Sequence, residues 1–196
     1  MTAAREGVTS AAVLDAALTL FAERGYHGTA LSQIADVLAV RTPSLYNHMR
    51  SKQDLLQTIV SGTVRGVLAD FEEATRDRTE PVERFYHAVL VYARRHATHR
   101  REALVVNRDT SSLEEPFRTR MQALRREHEH ALRGLIADGV RAGRFSVTSP
   151  AVASFAVREM CVSIARWYSD DGPLRAEQVA REYTEFALSI VGVGRI

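Results

Sequence analysis

The sequence predicts an all-α protein, with a small N-terminal group of three helices followed by a larger helical unit. Three observations carry that expectation. Apolar residues recur at helical spacing in segment after segment, from Val13 to Ile190. Helix punctuation falls between those segments: Thr9 or Ser10 and Ser149-Pro150 as starts, Pro81 as a first helical residue, Gly25 and Gly143 as stops. The third is the run Thr29 to Lys52, TALSQIADVLAVRTPSLYNHMRSK, which reads as two short helices joined by a tight turn.

In chain order, residues 1 to 8 form a loose leader whose Arg5 is the one charge able to reach a nucleic-acid backbone. The first helix then carries Val13, Leu14, Ala17, Leu20 and Phe21 on one stripe and ends at Gly25, with Tyr26 folding back on its last turn. Thr29 is expected to cap the second helix, its hydroxyl and the free N–H groups beside it forming a seat for a phosphate. Leu31, Ile34, Ala35 and Leu38 make that helix apolar on one face. After Val40 the periodicity restarts, with Thr42 as the cap and Pro43 as the first helical residue. The third helix is polar where the second is not. Leu45 and Met49 can hold it against a core, while Ser44, Tyr46, Asn47 and His48 are the short or flat hydrogen-bonding groups that suit a major groove. Ser51 caps the next helix and leaves Lys52 in its first turn, where a cation is disfavoured unless an anion such as a phosphate lies near.

Composition bounds the reading. A chain of 196 residues with 45% hydrophobic content can bury a sizeable core. No apolar run is long enough to cross a bilayer and the N-terminus lacks a signal-peptide core, so a cytoplasmic protein without membrane contact is expected. A net charge of +2 means that nucleic-acid binding must come from local placement. Of the 26 basic residues all but Lys52 are Arg, a usage that fits a GC-rich genome as well as any function. Cys161, the single cysteine, reads as a small core residue. No phosphate-cradling Gly loop, nucleophile elbow or HExxH run nominates a catalytic group, so no enzyme, cofactor or metal is expected. A helical binding or assembly protein without DNA contact is the competing class, and it leaves the polar helix at Thr42 to His48 unexplained.

The run LDAALTLFAERGYHGTALSQIADVLAVRTPSLYNHMRSKQDLL resembles the N-terminal DNA-binding domain of the TetR/AcrR family of bacterial transcriptional regulators. The likeness rests on the Phe-x-x-x-Gly-Tyr segment, Thr29, Ile34-Ala35, Leu45-Tyr46, and Ser51-Lys52 followed by Leu55-Leu56. It implies a helix-turn-helix domain over 1–52 and a ligand-binding and dimerisation domain over 53–196. It also implies that Thr29, Tyr46 and Lys52 hold phosphates while Arg41, Thr42, Pro43, Ser44, Asn47 and His48 face base edges or flanking backbone. Tyr46 has an alternative as a core aromatic, and His48 as a solvated surface residue. One departure is visible: the family usually has Gly where this chain has Ala39, and Ala in a left-handed turn costs about 1 kcal/mol.

The fourth helix is expected over 52–75, connecting the two domains, with Gly62 and Gly66 either easing its motion or allowing close packing. Pro81 opens a fifth, with Phe85, Ala88, Val89 and Tyr92 on one face and a basic end, Arg94, Arg95, His96, His99, Arg100 and Arg101. That end reads as a solvated terminus or an anion site. A short helix follows, then a turn capped by Ser111 or Ser112, then a long helix with Phe117, Met121, Leu124, His128, Ala131, Leu135 and Ile136 inward. His128 and His130 lie two apart on a helix, so they diverge rather than share a metal.

From Ala151 to Tyr168 the chain is apolar on nearly all sides, which asks for cover on all sides. With the last helix it predicts a four-helix homodimer interface including Val157, Ile164, Trp167, Val179, Tyr183, Phe186 and Ile190. The stretch from Arg166-Trp167-Tyr168 onward is similar to a subgroup of the same family that answers to fatty-acyl or sterol-derived acyl-CoA ligands. The resemblance as a whole implies a repressor that binds a palindromic operator as a dimer and is released by a small hydrophobic or acyl-CoA-type effector. Expected pocket residues are Phe85, Val89, Tyr92, Asn107, Phe117, Met121, Phe155, Glu159 and Ser163.

Overall fold

The computed structural model describes residues 8–193, so Arg5 lies outside the described part. The described residues are all helical or loop: α1 (Ser10–Arg24), α2 (Leu31–Val37), α3 (Thr42–Leu45), α4 (Lys52–Thr75), α5 (Pro81–Thr98), α6 (Arg100–Asp109), α7 (Phe117–Arg141), α8 (Pro150–Trp167) and α9 (Ala176–Ile190), with one 3₁₀ turn at Thr110–Ser112.

Local chemistry explains most boundaries. The Thr9 hydroxyl accepts the Ala12 N–H at 3.1 Å, and Gly25, at φ 83°, returns its N–H to Phe21 O at 2.9 Å and closes α1. Tyr26 then packs edge-on against Phe21, with ring centroids 5.5 Å apart. Three expected caps are corrected. Ala30, not Thr29, is the N-cap of α2, and Gln33 Oε1 accepts its N–H at 2.8 Å. Arg41 is the N-cap of α3, which places Thr42 and Pro43 at its first two positions. Ser111 and Ser112 cap nothing; they lie in the 3₁₀ turn, and the Glu115 carboxylate accepts the Thr119 N–H at 3.2 Å at the start of α7. The turn between α2 and α3 is left-handed at Ala39, φ 53°, with Val40 N–H on Ala35 O at 3.0 Å.

Two hydrophobic cores result. One gathers α1, α2, Leu45, Met49 and the first half of α4, and it draws in Val105 and Val106 of α6, Leu113, and Met121 of α7. The other is built by α5, α7, α8 and α9 around Phe85, Ile136, Val157, Cys161 and Leu188. Helix α4 runs through both, contributing Leu56 and Val60 to the first and Phe71 to the second.

Gly66 has a packing reason. A Cβ there would lie 2.2 Å from Arg95 Nη2, whereas one at Gly62 meets nothing within 4 Å. Arg95 crosses α4 at that point and donates to Asp70 Oδ2 at 2.6 Å. The other arginines of that basic end, Arg94 on α5 and Arg100 and Arg101 at the start of α6, are likewise committed to structure. Arg94 pairs with Glu177 at 3.7 Å, Arg100 Nε donates to Ala165 O at 2.8 Å, and Arg101 reaches Asp15 at 2.9 Å and Thr19 at 2.7 Å on α1. Arg108, further along α6, donates to the carbonyls of Phe21 and Ala22 at the end of α1.

Candidate nucleic-acid interface and ligand cavity

Helix α3 is one turn, prolonged by the hydrogen bonds Asn47 N to Ser44 O at 3.3 Å and Met49 N to Leu45 O at 3.1 Å. Leu45 and Met49 are buried, so the same turn must send the intervening side chains outward. Arg41, Pro43, Ser44, Tyr46 and Asn47 are exposed, and Thr42 and His48 are half-buried. At 56% exposed, Tyr46 is a surface ring and not a core aromatic. His48 Nδ1 lies 3.4 Å from Ser10 Oγ, which ties the turn to the start of α1.

Thr29 does not share this surface through its hydroxyl. It is 1% exposed and donates back to Gly25 O at 2.9 Å and Leu20 O at 3.2 Å, so the side chain fixes the α1–α2 corner. Lys52 is reached from the other side. The Ser51 hydroxyl accepts the Asp54 N–H at 3.1 Å and Asp54 Oδ2 accepts the Arg50 N–H at 3.1 Å, a reciprocal cap that sets Lys52 at the first position of α4. Its Nζ lies 4.2 Å from the centroid of Tyr26. Partial burial pulls its pKa down, opposed by the nearby Asp109 carboxylate. The Tyr26 phenol accepts from Gln53 Nε2 at 3.0 Å, and the same amide reaches Ser112 O at 2.7 Å. The seat of Lys52 is therefore braced by the larger unit.

A cavity of about 240 Å³ opens between α4, α5, α6, α7 and α8. Val64, Val67, Ala103, Val106 and Leu124 form its apolar side, and Arg95, Arg125, Arg126, Arg158, His96 and His128 its basic side. Tyr92 and Asn107 of the expected pocket set line it. The others sit elsewhere: Phe85, Val89 and Met121 are filled core, Phe117 packs beside the first core, Ser163 turns its hydroxyl onto Met160 O at 2.6 Å, and Phe155 and Glu159 point outward. Burial pushes both His96 and His128 down to about 4, so both imidazoles are neutral near pH 7. Burial drives the Tyr92 phenol up, and it stays protonated. Part of the basic wall is legible in the sequence, since the end of α5 with Arg95 and His96 reads as a solvated terminus or an anion site and His128 lies on an inward stripe; Arg125, Arg126 and Arg158 escape it because a helix face mixing Arg and His with Leu resembles a solvated one. The usable signal was the i, i+3 pair Arg125–His128 beside Leu124 on an inward stripe.

On α8 and α9, the face turned away from the core exposes Val152, Phe155, Trp167, Phe186 and Ile190. Trp167 stacks on Tyr183 with centroids 6.1 Å apart and donates its indole N–H to the Tyr183 hydroxyl at 3.1 Å. Val157, Ile164 and Val179, also expected on that face, are instead buried within the subunit. A helix apolar all round gives no sequence signal for which half of it faces inward.

Comparison with known proteins agrees with this geometry. The family model described as "Bacterial regulatory proteins, tetR family" matches residues 13–59, and "Tetracyclin repressor-like, C-terminal domain" matches residues 78–191. The chain is 32% identical to PfmR, a TetR family transcriptional regulator from Thermus thermophilus, covering 93% of this chain and 99% of that one with a TM-score of 0.81. It is 26% identical over 180 residues to the HTH-type transcriptional repressor KstR2 of Mycolicibacterium smegmatis, covering 90% of this chain and 87% of the relative. The structure of AibR in complex with isovaleryl coenzyme A and operator DNA superposes with a TM-score of 0.79 at 23% identity, over 90% of this chain and 96% of that one. A helix-turn-helix whose polar turn faces outward, joined by α4 to a helical unit that holds a cavity, is the arrangement expected of such regulators, and the chain belongs to the TetR family of bacterial regulatory proteins.

Proposed function

We propose that the chain is a ligand-responsive repressor that binds a palindromic operator as a homodimer and releases it when a small hydrophobic or acyl-CoA-type effector fills the cavity. The observation that carries the DNA reading is the outward set Arg41, Pro43, Ser44, Tyr46 and Asn47 on a turn held from behind by Leu45 and Met49. Ser44 and Asn47, with half-buried Thr42 and His48, address base edges; Tyr46 and Lys52 address phosphates. Thr29 acts through the corner it ties, with its hydroxyl already committed to two carbonyls.

Dimerisation through the ribbon of exposed Trp167, Phe186 and Ile190 with half-buried Tyr183 supplies the second recognition turn, and half-sites about 34 Å apart, or a multiple of that, match successive major-groove faces. The KstR2 repressors and the acyl-CoA complex of AibR favour repression and an acyl-type effector. A tenfold loss of operator affinity needs about 1.4 kcal/mol of coupling between cavity and DNA face.

The test is operator binding by fluorescence anisotropy over a salt series, with the site taken from the DNA flanking the chain's own gene. Lys52→Ala is expected to lower the slope of log affinity on log salt by about one, and Tyr46→Ala to weaken binding. A wild-type protein that shows no preference for any flanking palindrome over random duplex removes the reading.

A further inference from the structure

The cavity has a charge asymmetry that a purely apolar effector leaves unanswered. Four arginines line it against one carboxylate, Glu129. Two of the four already have anionic partners: Arg95 holds Asp70 at 2.6 Å and Arg158 holds Glu159 at 2.7 Å. Arg126 is exposed to solvent. Arg125 differs from all of these. It is half-buried, no carboxylate lies within salt-bridge distance of it among the described residues, and its guanidinium has only neutral oxygens, stretched to 3.3 Å at Thr110 Oγ1, 3.4 Å at Val106 O and 3.5 Å at Asn107 Oδ1. A partly buried cation so weakly satisfied is costly, and an anion is what relieves it.

The same wall holds unsatisfied nitrogens. Among the described residues, Arg95 Nε, Arg158 Nε and His128 Nε2 are buried without a hydrogen-bond partner, and all three side chains line the cavity. The opposite side, formed by Val64, Val67, Ala103, Val106 and Leu124, offers no charge at all.

Resting on the reading of this cavity as the effector site, we infer that the effector is an amphipathic anion whose charged group pairs with Arg125 while its apolar part lies along α4 and Leu124. The charged group is an oxyanion, supplied either by the carboxylate of a free organic acid or by a phosphate of an acyl-CoA ester.

Calorimetric titration of the full-length protein distinguishes the sources. The probes are octanoate, octanol, octanoyl-CoA and octanoyl-pantetheine, the last being the thioester without the phosphorylated nucleotide, with octanoyl-4'-phosphopantetheine, which restores one phosphate and no adenosine, separating phosphate from adenosine contacts. Octanoate binding at least about tenfold more tightly than octanol identifies a carboxylate. Octanoyl-CoA and octanoyl-4'-phosphopantetheine both exceeding octanoyl-pantetheine by the same factor identifies a phosphate. In either case Arg125→Met removes the preference for the anion and Arg125→Lys retains part of it, with far-UV circular dichroism checking that each variant folds. The inference is overturned by octanol and octanoyl-pantetheine binding as tightly as their charged counterparts, by no probe binding at millimolar concentration, or by a folded Arg125→Met that keeps the full preference. Should an anion bind as described and leave operator affinity unchanged, the release mechanism fails while the assignment of effector class stands.

Discussion

Ala39 supplies the sharpest physical test of the fold. At φ 53° it is the one non-glycine residue with positive φ among the described residues, and its side chain is exposed at the corner between α2 and α3. Left-handed backbone costs an L-residue roughly 1–2 kcal/mol, which glycine does not incur. Replacing Ala39 with Gly forfeits no buried contact, so the relief is opposed only by the greater freedom of glycine in the unfolded chain, roughly 0.4–1 kcal/mol. The balance is a stabilisation of about 0.5–1 kcal/mol. For a chain of this size each kcal/mol moves Tm by roughly 2–4 °C, so Ala39→Gly should raise Tm by about 1–4 °C. Thermal melting followed by far-UV circular dichroism reads this, at one fixed protein concentration because an oligomer's Tm depends on it. Ala39→Val must move the other way, since a branched Cβ tolerates that φ worse than a methyl group. A Gly variant that melts at or below the parent temperature, or a Val variant that melts above it, refutes the claim that the turn is strained.

Further outcomes follow from other sites. Phe186→Asp, at a side chain 49% exposed, should give a helical monomer in sedimentation where the parent sediments as a dimer; an unchanged dimer removes the α8–α9 face from the interface. Gly62→Ala, with open space around it, should gain about 0.5–1 kcal/mol in urea unfolding from helix propensity, while Gly66→Ala should lack that gain because it displaces Arg95 from Asp70. His96 and His128 titrate near 4 when folded and near 6.5 when unfolded, so between those values the unfolded chain binds more protons. Their contribution to stability is complete above about pH 6.5 and drains as pH falls towards 4, on the order of 3 kcal/mol for one such shift. The two rings are neighbours beside Arg95, Arg125 and Arg158, so their shares do not simply add. Urea midpoints measured near neutrality and near about pH 5 should converge in a His128→Leu, His96→Leu double variant relative to the parent.

The sequence was most legible where one residue type has one physical use. Pro81, Ser149-Pro150, Gly25 and the Ser51 cap all mark boundaries that the structure keeps, and α4 spans Lys52–Thr75 as its pattern predicts. It was least legible where two uses share a residue type. A threonine before a helix reads as a cap, and only the packing of the α1–α2 corner turns the Thr29 hydroxyl inward onto Gly25 and Leu20. Apolar residues on α8 and α9 read alike whether they fill the subunit, as Val157 and Ile164 do, or cover its outside, as Trp167 and Phe186 do. The cavity was hidden for a related reason. An absence of side-chain volume has no letter, so the pattern places Phe85 and Met121 beside it although both are fully buried core away from it. Arg125, the half-buried cation of the cavity wall, looks in the sequence like any charge on a long helix.

The shared first core bears on modularity. The DNA-reading head does not end where its motif ends: Val105, Val106, Leu113 and Met121 complete its interior, and Arg101 and Arg108 of α6 grip α1 by its side chains and its terminal carbonyls. A chimera that grafts residues up to Lys52 onto the body of a relative therefore inherits a head with part of its interior missing and its α1 clasp lost. Exchange of operator specificity between such regulators should succeed when the first half of α4 and the segment from α6 through Met121 travel with the head, and the unit that recombines productively is discontinuous in the chain.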